Sequence, residues 1–163
     1  MGTRFNCVLL CLISFVNGKL EPIVVGGSFA HISHFPHSVF MSVHCLEEND
    51  IELSWICGGS ILNQVITLTA AHCLYGCNQN STVSVGVGHV HKDYGDHTTV
   101  HSYFIHEDYD VTLAINDIAL VRLNTKLKFS ENVKRIILMK HPPYHEKAQI
   151  AGWGITNVSS FLI

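Results

Sequence analysis

The chain has 163 residues, with 10 Lys and Arg against 13 Asp and Glu and a formal net charge of −3. Its basic residues are scattered and form no stripe, which argues against nucleic acid as a partner. No run after residue 18 approaches the roughly 20 apolar residues needed to cross a bilayer, so a membrane is not expected as a partner either.

In chain order, residues 1–4 are short and positively charged, and 5–16 form an apolar run interrupted only by Asn6 and Ser14. Val16-Asn17-Gly18 then offers small or modest side chains where a signal peptidase reads, so 1–18 is expected to be a secretory signal. The run is too short for a membrane anchor. Residues 19–23 are expected to be a short pro-segment and 24–163 the folded domain of a secreted, extracellular protein. Cys7 and Cys11 leave with the signal. Cys45, Cys57, Cys73 and Cys77 remain, and an even count in an oxidising compartment favours disulfides over metal or redox chemistry. Asn80-Ser-Thr and Asn157-Val-Ser are glycosylation sequons in such a chain.

Long helical periodicity is missing beyond the signal. Short apolar or alternating runs at 38–43, 54–62, 65–69, 82–87, 98–105 and 118–123 read as strands. The alternation is cleanest at 82–87, with Val83, Val85 and Val87 on one face. Short strands separated by turn signals suggest an antiparallel barrel or a sandwich. Residues 124–147, richer in Lys and carrying Pro142-Pro143, read as a surface connection, and a seventh run at 148–153 begins something new.

Five short motifs carry the chemistry. They are Val24-Val25-Gly26-Gly27, Cys57-Gly58-Gly59-Ser60, Thr69-Ala70-Ala71-His72-Cys73, Asn116-Asp117-Ile118-Ala119-Leu120 and Gly152-Trp153-Gly154. In this order and spacing they resemble the trypsin/chymotrypsin family of serine endopeptidases, over about residues 24–154. The resemblance implies an all-β fold: the six-stranded antiparallel N-terminal barrel of a two-barrel protease, with the second barrel cut off after its first strand. It also implies proteolysis of protein or peptide substrates by a triad that needs no cofactor and no metal.

A serine hydroxyl is a poor nucleophile until an imidazole removes its proton, and a carboxylate must hold that imidazole in one tautomer. By resemblance His72 is the general base and Asp117 the buried carboxylate. The family's Gly-Asp-Ser-Gly-Gly segment, with its serine and oxyanion-hole N–H groups, does not occur in these 163 residues. Ser60 corresponds to a structural strand, and Ser159 and Ser160 lack the glycine flanks of a nucleophile turn. The chain alone is therefore expected to be inactive, without serine, oxyanion hole or S1 pocket. At the activation site Ile23 stands where relatives carry Arg or Lys, and Lys19 is the nearest basic residue, so activation by a cut at the usual place is not expected.

The resemblance pairs Cys57 with Cys73, a closure worth about 3 kcal/mol in the chain-entropy model, and leaves Cys45 and Cys77 to each other. Among 12 histidines, His31, His34 and His37 are spaced by three, and His89 and His91 share a strand face. A zinc site needs further ligands held by hydrogen-bonded neighbours, and none is evident, so these read as exposed loop and strand histidines. The functions left open are an incomplete endopeptidase, a non-catalytic secreted homologue that binds peptides or partners, and a metal-binding module.

Overall fold

A computed structural model describes residues 28–47, 51–141 and 144–154. The signal at 1–18, the segment 19–23, the motif at 24–27, Pro142-Pro143, Asn157, Ser159 and Ser160 lie outside them. No helix among the described residues is long and apolar enough to cross a membrane.

Six strands form: β1 Ser38–Leu46, β2 Glu52–Ile61, β3 Ile66–Thr69, β4 Thr82–Val87, β5 Asp96–Ile105 and β6 Ala119–Leu123. They close into an antiparallel barrel in the order β1-β2-β3-β6-β5-β4. Each of the six runs between 38 and 123 became a strand, with ends shifted by up to three residues according to where pairing begins and stops. Asp96 and His97, both polar, join β5 because they lie opposite Val87 and Gly86 of β4. These elements belong to one compact unit, Phe29–Gly154.

Period-two alternation fills the interior. Val39, Met41, Val43 and Cys45 point inward from β1, Val83, Val85 and Val87 from β4, and Ala119, Val121 and Leu123 from β6. Burial of such side chains stabilises by about 1.5–3 kcal/mol each, before the entropy of ordering the chain is subtracted. Gly59 allows β2 and β3 to pack closely, since a Cβ there would lie 2.6 Å from the Leu68 carbonyl oxygen.

Two readings are corrected. The stretch 124–147 is not merely a surface connection, because Leu127 and Val133 are buried in the barrel core. The Lys134 and Ile136 N–H groups donate to the carbonyls of Pro36 and Ile61. Single apolar residues in a Lys-rich run have no period, so the pattern hid them. The run 148–153 forms no strand, because none of the described residues supplies a ladder partner for it. Its Trp153 instead packs edge-on against Phe40, with ring centroids 5.7 Å apart, and donates its indole N–H to the Val90 carbonyl.

Thr67 of β3 is fully buried, and its hydroxyl oxygen has no hydrogen-bond partner among the described residues. Thr67→Val keeps the branched shape and removes that unpaired hydroxyl. It is expected to raise the unfolding free energy by about 1 kcal/mol. Urea denaturation checks this, and a comparable loss of stability would show that the hydroxyl does have a partner.

Candidate functional site

His72 sits on the turn that ends β3. Ala70 is extended, and Ala71–Cys73 form a single 3-10 turn in which Ala71 and Cys73 are buried. With its neighbours anchored in the core, the ring between them points outward, and its side chain is 60% exposed. Two further ties hold the turn against β2. Cys73 is bonded to Cys57 across 16 residues, and the Trp55 indole N–H donates to the Cys73 carbonyl at 3.1 Å.

Asp117 lies two residues before β6. Thr69 at the end of β3 pairs with Ala119 at the start of β6. That register places the turn after β3 beside the residues before β6, and so brings together positions 45 apart in sequence. The loop leading to Asp117 is braced from within. Asp110 Oδ1 accepts the N–H groups of Thr112 and Leu113, and Asn116 Nδ2 donates to the Asp108 carbonyl at 2.9 Å. Asn116 adopts φ 55, a left-handed conformation that Asn tolerates better than most residues.

Asp117 meets His72 through both oxygens. Oδ2 lies 2.7 Å from the ring Nδ1, and Oδ1 accepts the His72 backbone N–H at 2.8 Å. The hydrogen bond from the ring is the largest influence holding the Asp117 carboxyl below its usual range, followed by the His72 backbone N–H, and then by attraction to the His72 ring and the Ala71 N–H. An ionised carboxylate can only accept, so Nδ1 is the donor and a neutral ring carries its lone pair on Nε2. Burial is less than the sequence suggested: the Asp117 side chain remains 24% exposed. A motif specifies which residue is present, but coverage depends on what packs over it, and no described residue seals this edge. Tyr109 stands near enough that, after desolvation, the Asp117 charge helps to raise its phenol.

The remaining candidates fall elsewhere. Ser60 lies within the β2 ladder, opposite Ser38 and Leu68. Cys45 and Cys77 form the second disulfide, across 32 residues. Asn80 is exposed in the turn before β4, its N–H bonded to Asn78 Oδ1. His31 and His34 rings are 6.5 Å apart, and His89 stacks on His91 at 5.7 Å while its Nδ1 accepts the His91 N–H. Among the described residues, the cluster with ligand atoms close enough for a metal is Cys57, His72 and Cys73. Its sulfurs are joined to each other and are not free thiolates. Trp55 escaped the sequence reading, and Asn116 was read only as the neighbour of Asp117 in its motif. A left-handed Asn next to Asp was the available signal for the second, whereas nothing local marks an indole that reaches across strands.

A family model described as Trypsin matches residues 24–161. Trypsin delta of Drosophila erecta is 34% identical over 144 residues, covering 87% of this chain and 53% of that protein. Hypodermin-B of Hypoderma lineatum is 35% identical over 158 residues, covering 90% of this chain and 58% of that one. The chain thus spans a little over half the length of these relatives. Among solved structures, a scabies mite inactivated protease paralogue superposes with a TM-score of 0.60 at 24% identity, over 72% of this chain and 48% of that one. The HL collagenase structure gives a TM-score of 0.59 at 22% identity, over 71% and 47%. At these identities the two structures speak for the fold.

Proposed function

The chain belongs to the trypsin family of serine peptidases, and from that premise we propose that it carries the base-and-carboxylate half of a secreted serine endopeptidase. In this reading residues 1–18 are a signal, 19–23 a short pro-segment and 24–163 an incomplete trypsin-like peptidase domain, glycosylated at Asn80 and Asn157. Protein or peptide chains are the substrates of the complete enzyme. The observation that carries the reading is the double contact of Asp117 with His72, at 2.7 Å to the ring and 2.8 Å to the backbone.

The chemistry follows from that contact. Asp117 fixes the ring so that the Nε2 lone pair is free and directed away from the carboxylate. A serine hydroxyl delivered to Nε2 gives up its proton as it attacks a scissile carbonyl, and the new imidazolium is stabilised by the carboxylate at Nδ1. Nε2 then returns the proton to the departing amine. What these 163 residues lack is a Gly-Asp-Ser-Gly segment to supply the serine and the oxyanion-hole N–H groups.

The 163-residue chain alone is therefore expected to hydrolyse no peptide ester or amide and to take up no fluorophosphonate probe. Stoichiometric labelling of any serine would overturn this and reveal an unrecognised nucleophile. A second reading, a secreted non-catalytic homologue that binds peptides or partners, is favoured by Ile23 in place of a basic residue at the activation position. The full transcript separates the two: continuation into a nucleophile segment supports the enzyme, and a stop codon after Ile163 supports the homologue.

A further inference from the structure

His72 has a neighbour besides Asp117. Its Nε2 lies 3.6 Å from Cys73 Sγ, and the Cys57 sulfur belongs to the same cluster, within 4.8 Å. The two sulfurs of this bridge are not equally accessible. Cys73 is 3% exposed, whereas Cys57 is only partly buried. An incoming thiolate therefore meets Cys57 Sγ first, and Cys73 Sγ becomes the leaving group. A thiolate leaves faster when a cation or acid stabilises it, and an adjacent imidazolium is such a group. Because Asp117 already engages Nδ1, a proton taken up by the ring goes to Nε2, the nitrogen that faces Cys73.

We propose that the Cys57–Cys73 bridge is a thiol-exchange site, at which a small monothiol forms a mixed disulfide on Cys57 with His72 as proton donor to Cys73. The attacking sulfur bonds to Cys57 Sγ as the Cys57–Cys73 bond breaks. The electron pair of the broken bond stays on Cys73 Sγ, which takes the Nε2 proton. The proton lost by the incoming thiol restores the ring, so one thiol and one disulfide become another thiol and another disulfide. No further oxidant or reductant is needed.

The second bridge provides an internal comparison. It matches the first in burial, with Cys45 1% exposed and Cys77 partly buried like Cys57, but the adjacent His44 points to the other face of β1, where its Nδ1 bonds the Ser54 hydroxyl at 2.8 Å. The group facing the His72 ring is the Asp117 carboxylate, with Tyr109 beyond it; the raised Tyr109 phenol stays neutral through the imidazole range. Exchange would release Cys73 from β2 and so loosen the turn that carries His72, while Trp55 still holds the Cys73 carbonyl.

The test exposes the full chain to reduced glutathione without oxygen between pH 5 and 8, quenches with acid and maps the cysteines by mass spectrometry. The expected product carries glutathione on Cys57 and a free Cys73, with Cys45–Cys77 intact. His72→Gln is expected to slow its formation about tenfold. A barrel loosened by the substitution would exchange faster at both bridges, so misfolding cannot imitate the slowing. Glutathione on Cys73, equal exchange at Cys45–Cys77, or a His72→Gln rate no slower than the wild type's would overturn the proposal.

Discussion

Asp117→Asn, in a longer form of the chain that carries the serine nucleophile, is expected to lower kcat/KM about 10⁴-fold, the cost of the same change in the serine protease triad. The geometry gives the reason. Asp117 Oδ2 stands 2.7 Å from Nδ1 and requires a donor there, which leaves Nε2 free as the base. An asparagine keeps an oxygen for the His72 backbone N–H, so the loop survives, but its amide can present N–H groups to the ring. The imidazole then carries its proton on Nε2 and cannot accept one from serine. The loss falls on kcat more than on KM, since neither side chain is needed to hold the peptide. His72→Ala removes the base itself and is expected to cost on the order of 10⁶ in kcat, with the double variant no worse than His72→Ala alone. Steady-state kinetics decide this. A fall below tenfold for Asp117→Asn would show that the carboxylate does not set the tautomer.

Removing the Cys45–Cys77 bridge by a double substitution to alanine is expected to cost about 4 kcal/mol, and removing Cys57–Cys73 in the same way about 3 kcal/mol. The order follows from the closed loops, 32 against 16 residues apart in sequence. The longer bridge restricts more of the unfolded chain. Burial does not separate the two, since each joins one core cysteine to one that is partly buried. Domains of this kind are stable by about 5–15 kcal/mol in total, so either loss is a large share. Urea denaturation of the two double variants gives both values. A larger loss at Cys57–Cys73 would mean that native contacts around the His72 turn outweigh chain entropy.

The local signals were sufficient for much of this molecule. Alternation of Val83, Val85 and Val87 marks a strand whichever partner it finds, because side chains on any strand alternate between faces. Cys57, Cys73, His72 and Asp117 were legible through motifs whose neighbours are as informative as the residues themselves, whereas Cys45 and Cys77 were paired only as the two cysteines left over.

What the amino-acid order left open is whatever depends on hydrogen bonds between distant segments. The strand pattern by itself left barrel or sandwich open, and only the family resemblance named the barrel; the pairing of β4 with β1 and β3 with β6 closes it, because closure is a property of ladders and not of any single strand. The register shift between Val100 and Ser102 makes Thr98 and Val100 face inward before it and Tyr103 and Ile105 after it. No alternation count in β5 reveals that change of parity. Leu127 and Val133 join the core through packing against the barrel that no period in their own run announces. Residues 148–153 formed no strand because a strand exists only where a neighbour accepts its bonds. The motifs, read through the family they resemble, pointed to His72 and Asp117 as the proposed base and carboxylate. Their meeting at 2.7 Å, and the exposure that Asp117 retains there, were decided by the pairing of Thr69 with Ala119 and by the open edge beside it.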